Sequence, residues 1–156
     1  MRMISLSFLA RRFLEVHLRW KRVIRPRLTL NGQVVLDGLY GDGIIVSTPT
    51  GSTAYNRAAG GMIIPIGTPL LALTPVCPIT PWHGALITQN DHIVVSIMES
   101  EKRPASVCVD GEQIGMWQGS ETISIQHDSQ TEYHLLFDQE HHLEARIRMC
   151  QFNLHT

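Results

Sequence analysis

The chemically richest stretch of this 156-residue chain is Asp42-Gly43-Ile44-Ile45-Val46-Ser47-Thr48-Pro49-Thr50-Gly51-Ser52-Thr53-Ala54-Tyr55-Asn56, followed closely by Ala58-Ala59-Gly60-Gly61. An apolar run leads into a Pro/Gly turn crowded with hydroxyl groups, and small side chains open the segment after it. Backbone N–H groups released at a helix N-terminus, with Gly51 and Ala54 admitting close approach, suit a nucleotide or a phosphate. Tyr55 adds a flat face for base stacking, with a hydroxyl beside it. An N-capped helix after a strand, with Ser52 or Thr53 as cap, would read the same way. The segment is not a Walker loop, which needs Gly-Lys-Ser/Thr, and it lacks the Gly-x-Ser-x-Gly spacing of a nucleophile elbow.

Other residues of chemical interest carry weaker signals. Glu140-His141-His142-Leu143-Glu144 sets ligating types at helical spacing, but solvated residues at a helix start explain it better than a metal site, so no metal is expected. Trp82-His83 follows three prolines and reads as apolar cover over a sheet edge. Asp110 is either a supporting acid or the first residue of a tight turn. Cys77, Cys108 and Cys150 are odd in number and far apart, without Cys-x-x-Cys spacing, which excludes a disulfide framework or zinc knuckle and suits free thiols in a reducing cytoplasm.

The elements that must position these groups are short. Hydrophobic residues make up 44% and charged ones 17%, a globular composition that argues against disorder, and no apolar run is long enough to span a membrane. Asn31-Gly32 separates two β-prone runs, the signature of a type I′ hairpin. Strands are expected at 43–47, 70–74, 92–98, 105–109, 122–125 and 133–137, with a tight turn at Asp110-Gly111. A short helix fits 53–59 before Gly60-Gly61, and another fits 141–151 with Leu143, Ile147 and Cys150 on one face. Pro75, Pro78 and Pro81 should forbid regular structure from 75 through Trp82. Short strands with little helix predict a mainly β, antiparallel β-sandwich with one or two short helices, forming a single domain over 1–156. Residues 1–26 read as a basic first strand and connector to the sandwich of 27–156. Residues 1–27 hold eight of the thirteen Lys and Arg against Glu15 alone, a local charge of +7. With no aromatic-interleaved basic patch or nucleic-acid motif, this start reads as an exposed junction, and no nucleic-acid partner is expected.

Residues 42–61 resemble the signature of the NAD kinase family, ATP- or polyphosphate-dependent enzymes that phosphorylate the adenosine ribose of NAD to make NADP. Leu70-Leu71-Ala72-Leu73-Thr74-Pro75-Val76-Cys77-Pro78, Lys102-Arg103-Pro104, Asp110-Gly111, Leu143-Glu144-Ala145-Arg146-Ile147 and Gln151-Phe152 resemble successive blocks of that family's C-terminal domain, so the likeness covers about residues 12–152. It implies that Thr53, Ala54 and Tyr55, with Asn56 beside them, contact the dinucleotide. Asp42 would approach the nicotinamide end, in some members from a neighbouring subunit, while Cys77 and Ile79 would line the pocket. Glu15 would match the acid of the family's Asn-Glu pair. Leu14 replaces the Asn, removing an amide that holds ribose hydroxyls. Ala58 likewise stands where a serine is common.

The family's Gly-Gly-Asp-Gly motif, whose Asp acts as general base and whose loop holds the phosphate donor and Mg²⁺, does not occur in these 156 residues. The resemblance therefore implies a dinucleotide-binding and oligomerising domain that takes NAD as substrate. It would be inactive alone and would meet ATP or polyphosphate and Mg²⁺ only through an additional lobe. A non-catalytic nucleotide-binding or oligomerisation sandwich is the alternative.

Overall fold

The computed structural model describes residues 3–8, 13–17, 23–117, 119–128, 136 and 143–152. In chain order the elements are β1 (Met3–Phe8), β2 (Phe13–His17), β3 (Pro26–Leu30), β4 (Gln33–Asp37), β5 (Gly43–Ser47), α1 (Tyr55–Ala58), β6 (Leu70–Val76), β7 (Ala85–Thr88), β8 (Ile93–Ile97), β9 (Ala105–Val109), β10 (Glu112–Trp117), β11 (Thr122–His127) and α2 (Leu143–Phe152). The strands form two sheets, one ordered β1-β11-β8-β3-β4 and the other β10-β9-β2-β5-β6-β7. Pairing among the described residues is antiparallel except between β1 and β11. No helix among the described residues is long and apolar enough to cross a membrane.

Period-two alternation explains the layering. Ile44 and Val46 of β5, Leu71 and Leu73 of β6, and Ala105 and Val107 of β9 pack against Leu28, Ile93, Val95, Ile97, Ile123 and Ile125 of the other sheet, giving one apolar core between the layers. β5 is buried along its whole length, on both faces. Its second face carries Ile45, the register partner of Thr74, and the segment after β5 folds back over it. A central strand covered on both sides must be apolar throughout, as the run Gly43-Ile44-Ile45-Val46 is.

Both tight turns take the geometry their residues predict: Asn31 and Gly32 have φ of 49° and 83°, and Asp110 and Gly111 have 52° and 85°. Three expectations are corrected. Two strands, β1 and β2, occupy the region where one strand and a connector were expected. β6 runs through Pro75 to Val76, because Pro75 pairs with Ile44 on one side and lies beyond Leu73, where pairing with β7 begins at Ala85, so its missing N–H faces no neighbouring strand. The helix expected over 53–59 is only the four residues of α1. β7 and β10 had no clear pattern in the sequence, since β7 is four residues long and β10 is interrupted by a bulge between Gln113 and Gly115. The strand expected at 133–137 lies outside the described residues apart from Leu136.

One polar network ties the β3–β4 hairpin to the turn before β8. Asn31 donates through Nδ2 to Asp91 Oδ1 at 2.6 Å, accepts from the His92 N–H at 2.9 Å, and the Thr88 N–H donates to Asp91 Oδ2 at 2.8 Å. The Asn31 side chain, outweighing a small opposing effect of burial, holds the Asp91 carboxyl below its ordinary value, with Thr88 helping. A depressed folded-state pKa contributes stability that is present above the unfolded value and lost as pH falls through the folded one. The melting-temperature gap between the wild type and Asp91→Asn should therefore be open at neutral pH and close below about pH 4. A gap that stays constant on acidification in a thermal-melt series would refute this.

Candidate functional site

The segment from 48 to 64 is held by two buried side chains. Ser52 is fully buried and donates through Oγ to Pro49 O at 2.7 Å and, more loosely, to Ile64 O at 3.3 Å, while accepting from the Ile64 N–H at 3.0 Å. Asn56, also fully buried, donates through Nδ2 to Ser52 O at 3.1 Å and Met62 O at 3.0 Å, and its Oδ1 accepts from Thr74 Oγ1 at 2.7 Å. The amide is thereby saturated on both sides and bolts the loop to β6. Asn56, one of the residues expected to contact ligand, thus spends its polar atoms inside the protein.

Three of the amides that lead into α1 are engaged within the turn. The Gly51 N–H bonds Thr48 Oγ1 at 3.3 Å, the Ser52 N–H bonds Thr48 O at 2.9 Å, and the Ala54 N–H bonds Gly51 O at 2.9 Å. The cap position is Ala54, not Ser52 or Thr53, and it makes no side-chain cap bond. A helix of only four residues offers little dipole to a phosphate. What the loop presents instead is side chain: Thr50, Thr53 and Tyr55 are exposed, with Tyr55 42% accessible, and Ala54 is half-buried between them.

Asp42, Cys77 and Ile79 form a second group at the other end of β5. The Asp42 N–H donates to Val76 O at 2.8 Å, the Ile79 N–H donates to Tyr40 O at 2.8 Å, and Gly41 packs so closely on Val76 O and on the backbone of Cys77 and Pro78 that a Cβ there would crowd them. All three expected residues are exposed, Ile79 by 69%, and Cys77 sits at φ 46°. Gly43 to Ser47 spans about 13 Å of extended strand. One chain therefore brings Thr53, Ala54 and Tyr55 together at one end and Asp42, Cys77 and Ile79 at the other. Glu15 lies on β2 between them in register, opposite Ile45 on one side and Cys108 on the other.

Trp82 packs half-buried against the core, as expected of apolar cover. No group of three or more His, Cys, Asp or Glu that could hold a metal occurs among the described residues; of the Glu140 to Glu144 cluster only Leu143 and Glu144 are described. Sequence reasoning missed the bolting roles of Ser52 and Asn56. Thr74 and Ile64, their partners, are separated from them by 18 and 12 residues, and no local pattern announces such pairs.

The family model of the ATP-NAD kinase C-terminal domain matches residues 19–137. An NAD kinase of Xylella fastidiosa is 43% identical over 127 residues, 80% of this chain and 48% of that protein. An NAD kinase of Brucella suis is 38% identical over 130 residues, 82% of this chain and 49% of the relative. The chain spans about half the length of these relatives. Among solved structures, an NAD kinase from Archaeoglobus fulgidus in complex with ATP superposes with a TM-score of 0.72 at 23% identity, covering 90% of this chain and 53% of its own. Yeast NADH kinase complexed with NADH gives 0.61 at 22% identity, covering 74% and 37%. At those identities the structural likeness is one of fold. With the family match running over most of the sequence, from β3 through β11, this chain belongs to the NAD kinase family and carries its C-terminal domain.

Proposed function

We propose that this chain is the dinucleotide-binding half of an NAD kinase, a single domain that holds NAD while its adenosine ribose 2′-hydroxyl is phosphorylated to give NADP. The observation that carries the reading is the bolted loop: Ser52 and Asn56 are consumed in fixing it, which leaves Thr53 and Tyr55 exposed on a rigid support. Tyr55 supplies a stacking face and a hydroxyl, and Thr53 a second hydroxyl, a set that suits a nucleoside. Asp42, Cys77 and Ile79 contact the same ligand from a neighbouring subunit. Their separation from Tyr55 by the length of β5 supports a site completed in a homo-oligomer.

Positioning supplies most of the rate of phosphoryl transfer, and it needs donor, acceptor and base together. These 156 residues contain no Gly-Gly-Asp-Gly, so they orient the acceptor only. ATP or polyphosphate and Mg²⁺ enter with a lobe that carries that motif. The reaction belongs to the cytoplasm, where the free thiols Cys77 and Cys108 persist.

Thermal melts with millimolar NAD test the reading. A ligand present at ten times its dissociation constant stabilises by about 1.4 kcal/mol, so a rise of a few degrees is expected. Tyr55→Ala should abolish the rise while moving the ligand-free melting temperature by no more than about 2 °C. No rise in the wild type at millimolar NAD would refute binding, and an undiminished rise in Tyr55→Ala would refute the assigned contact.

A further inference from the structure

The segment that presents Asp42 is built on an unusual support. The guanidinium carbons of Arg25 and Arg103 both lie over the Tyr40 ring, 5.2 Å and 5.5 Å from its centroid, within the range of cation–π attraction. Two like charges converge on one ring. Arg103 is anchored from elsewhere: its Nη1 donates to Val23 O at 3.0 Å and its Nε lies 3.4 Å from Glu99 Oε2. Arg25 has less. Its Nε is buried with no hydrogen-bond partner, a cost that folded proteins ordinarily avoid. Gly38, at φ 80°, leaves the room Arg25 needs, since any Cβ there would run into Arg25 Nε.

Tyr40 is also the backbone junction of the Asp42 patch. Its carbonyl accepts from the Ile79 N–H at 2.8 Å; Gly41 exchanges both backbone bonds with Ile24, at 2.8 Å and 3.2 Å; and the Asp42 N–H reaches Val76 O at 2.8 Å. Fixing the Tyr40 ring therefore fixes the two strands of backbone that carry Asp42 on one side and Cys77 and Ile79 on the other.

We infer that Arg25, Tyr40 and Arg103 are positioning residues that set Asp42, Cys77 and Ile79 for the dinucleotide, acting through the Tyr40–Ile79 and Asp42–Val76 backbone bonds without touching ligand. The ligand part of this inference rests on the function proposed above, and the positioning part stands independently. Tyr40→Leu keeps an apolar side chain but removes the ring, and Arg103→Lys keeps the charge but loses the planar group and its fork.

Two measurements on the whole chain decide it. Hydrogen exchange by NMR should show the Asp42 and Ile79 amides losing protection by roughly tenfold or more in Tyr40→Leu, with the amides of β8 and β11 unchanged. NMR titration with NAD should show Tyr40→Leu binding roughly tenfold more weakly, and a clearly smaller further loss when it is added to Asp42→Asn, where only Cys77 and Ile79 remain to be misplaced. Arg103→Lys should reproduce both effects in smaller degree. Unchanged protection of Asp42 and Ile79 overturns the positioning role, whatever NAD does. Preserved affinity in Tyr40→Leu, or a full additional loss in the Asp42→Asn background, overturns the link to ligand. If the wild type fails to bind NAD, the proposed function falls, while the exchange result still decides the stack.

Discussion

Asn56→Ala should lower the folding free energy by about 3–5 kcal/mol, more than any nearby surface change. The side chain is fully buried, and its removal strands Thr74 Oγ1 and the carbonyls of Ser52 and Met62 at once. Each buried polar group left without a partner costs about 1–3 kcal/mol, and relaxation or entering water recovers part of the total. At this chain length that corresponds to a melting temperature lower by roughly 10 °C. Asn56→Asp should be nearly as harmful, because a carboxylate cannot make the two donations to Ser52 O and Met62 O and would bring charge into a closed site. Tyr55→Ala, one residue away and exposed, should change stability by only about 0.5 kcal/mol. Urea denaturation of the three variants compares them directly. If Asn56→Ala costs less than about 1 kcal/mol, the loop is held by something other than this amide.

Gly61→Ala carries the second large effect, and it reverses the order that backbone conformation alone would give. Gly60 has φ 84° with open space around its missing Cβ, so Gly60→Ala should cost only the left-handed penalty of about 1–2 kcal/mol. Gly61 has no such φ, yet a Cβ there would overlap both Asn56 Oδ1 and Thr74 Oγ1. Those two atoms are already bonded to each other at 2.7 Å, and neither can move aside without breaking that bond. Overpacking combined with a broken buried hydrogen bond is expected to cost about 2–4 kcal/mol. Because one of the two clashing atoms belongs to Asn56 and its removal frees the Thr74 hydroxyl to rotate away, the penalty should shrink sharply when Gly61→Ala is made in the Asn56→Ala background. Equal costs in the two backgrounds, measured by the same denaturation series, would show that Gly61 answers to a different neighbour.

These two residues also show how far the sequence could be read. Gly60-Gly61 reads as a helix stop, and Gly60 does behave as one at positive φ. Gly61 is needed for a contact with β6, 13 residues further along. Asn56 looks like a ligand residue because it adjoins Tyr55 in a signature rich in polar groups, and only the fold reveals that Thr74 takes its oxygen. The same limit applies to Pro75. Proline is a sound breaker signal when every N–H in a strand needs a partner, and it fails here because β7 begins only at Ala85, opposite Leu73, and leaves that side of β6 unpaired at Pro75. Arg25 and Arg103 stand 78 positions apart in the chain, and nothing local says that they meet over Tyr40.

What the sequence determined by itself was whatever depends on neighbours along the chain. Asn31-Gly32 and Asp110-Gly111 dictate their turns through their own φ preferences, the alternating strands dictate a two-layer β architecture, and the string from Thr48 to Tyr55 marks the family. What only the tertiary structure decided was which signature residues face inward and which face out. Ser52 and Asn56 are drawn under the loop because a covered sheet face leaves Thr74 and the carbonyls of Met62 and Ile64 needing partners. Thr53 and Tyr55 stay exposed because that need is already met. The division between scaffold and surface is set by hydrogen-bond satisfaction across the fold, a condition that closes only when distant segments meet.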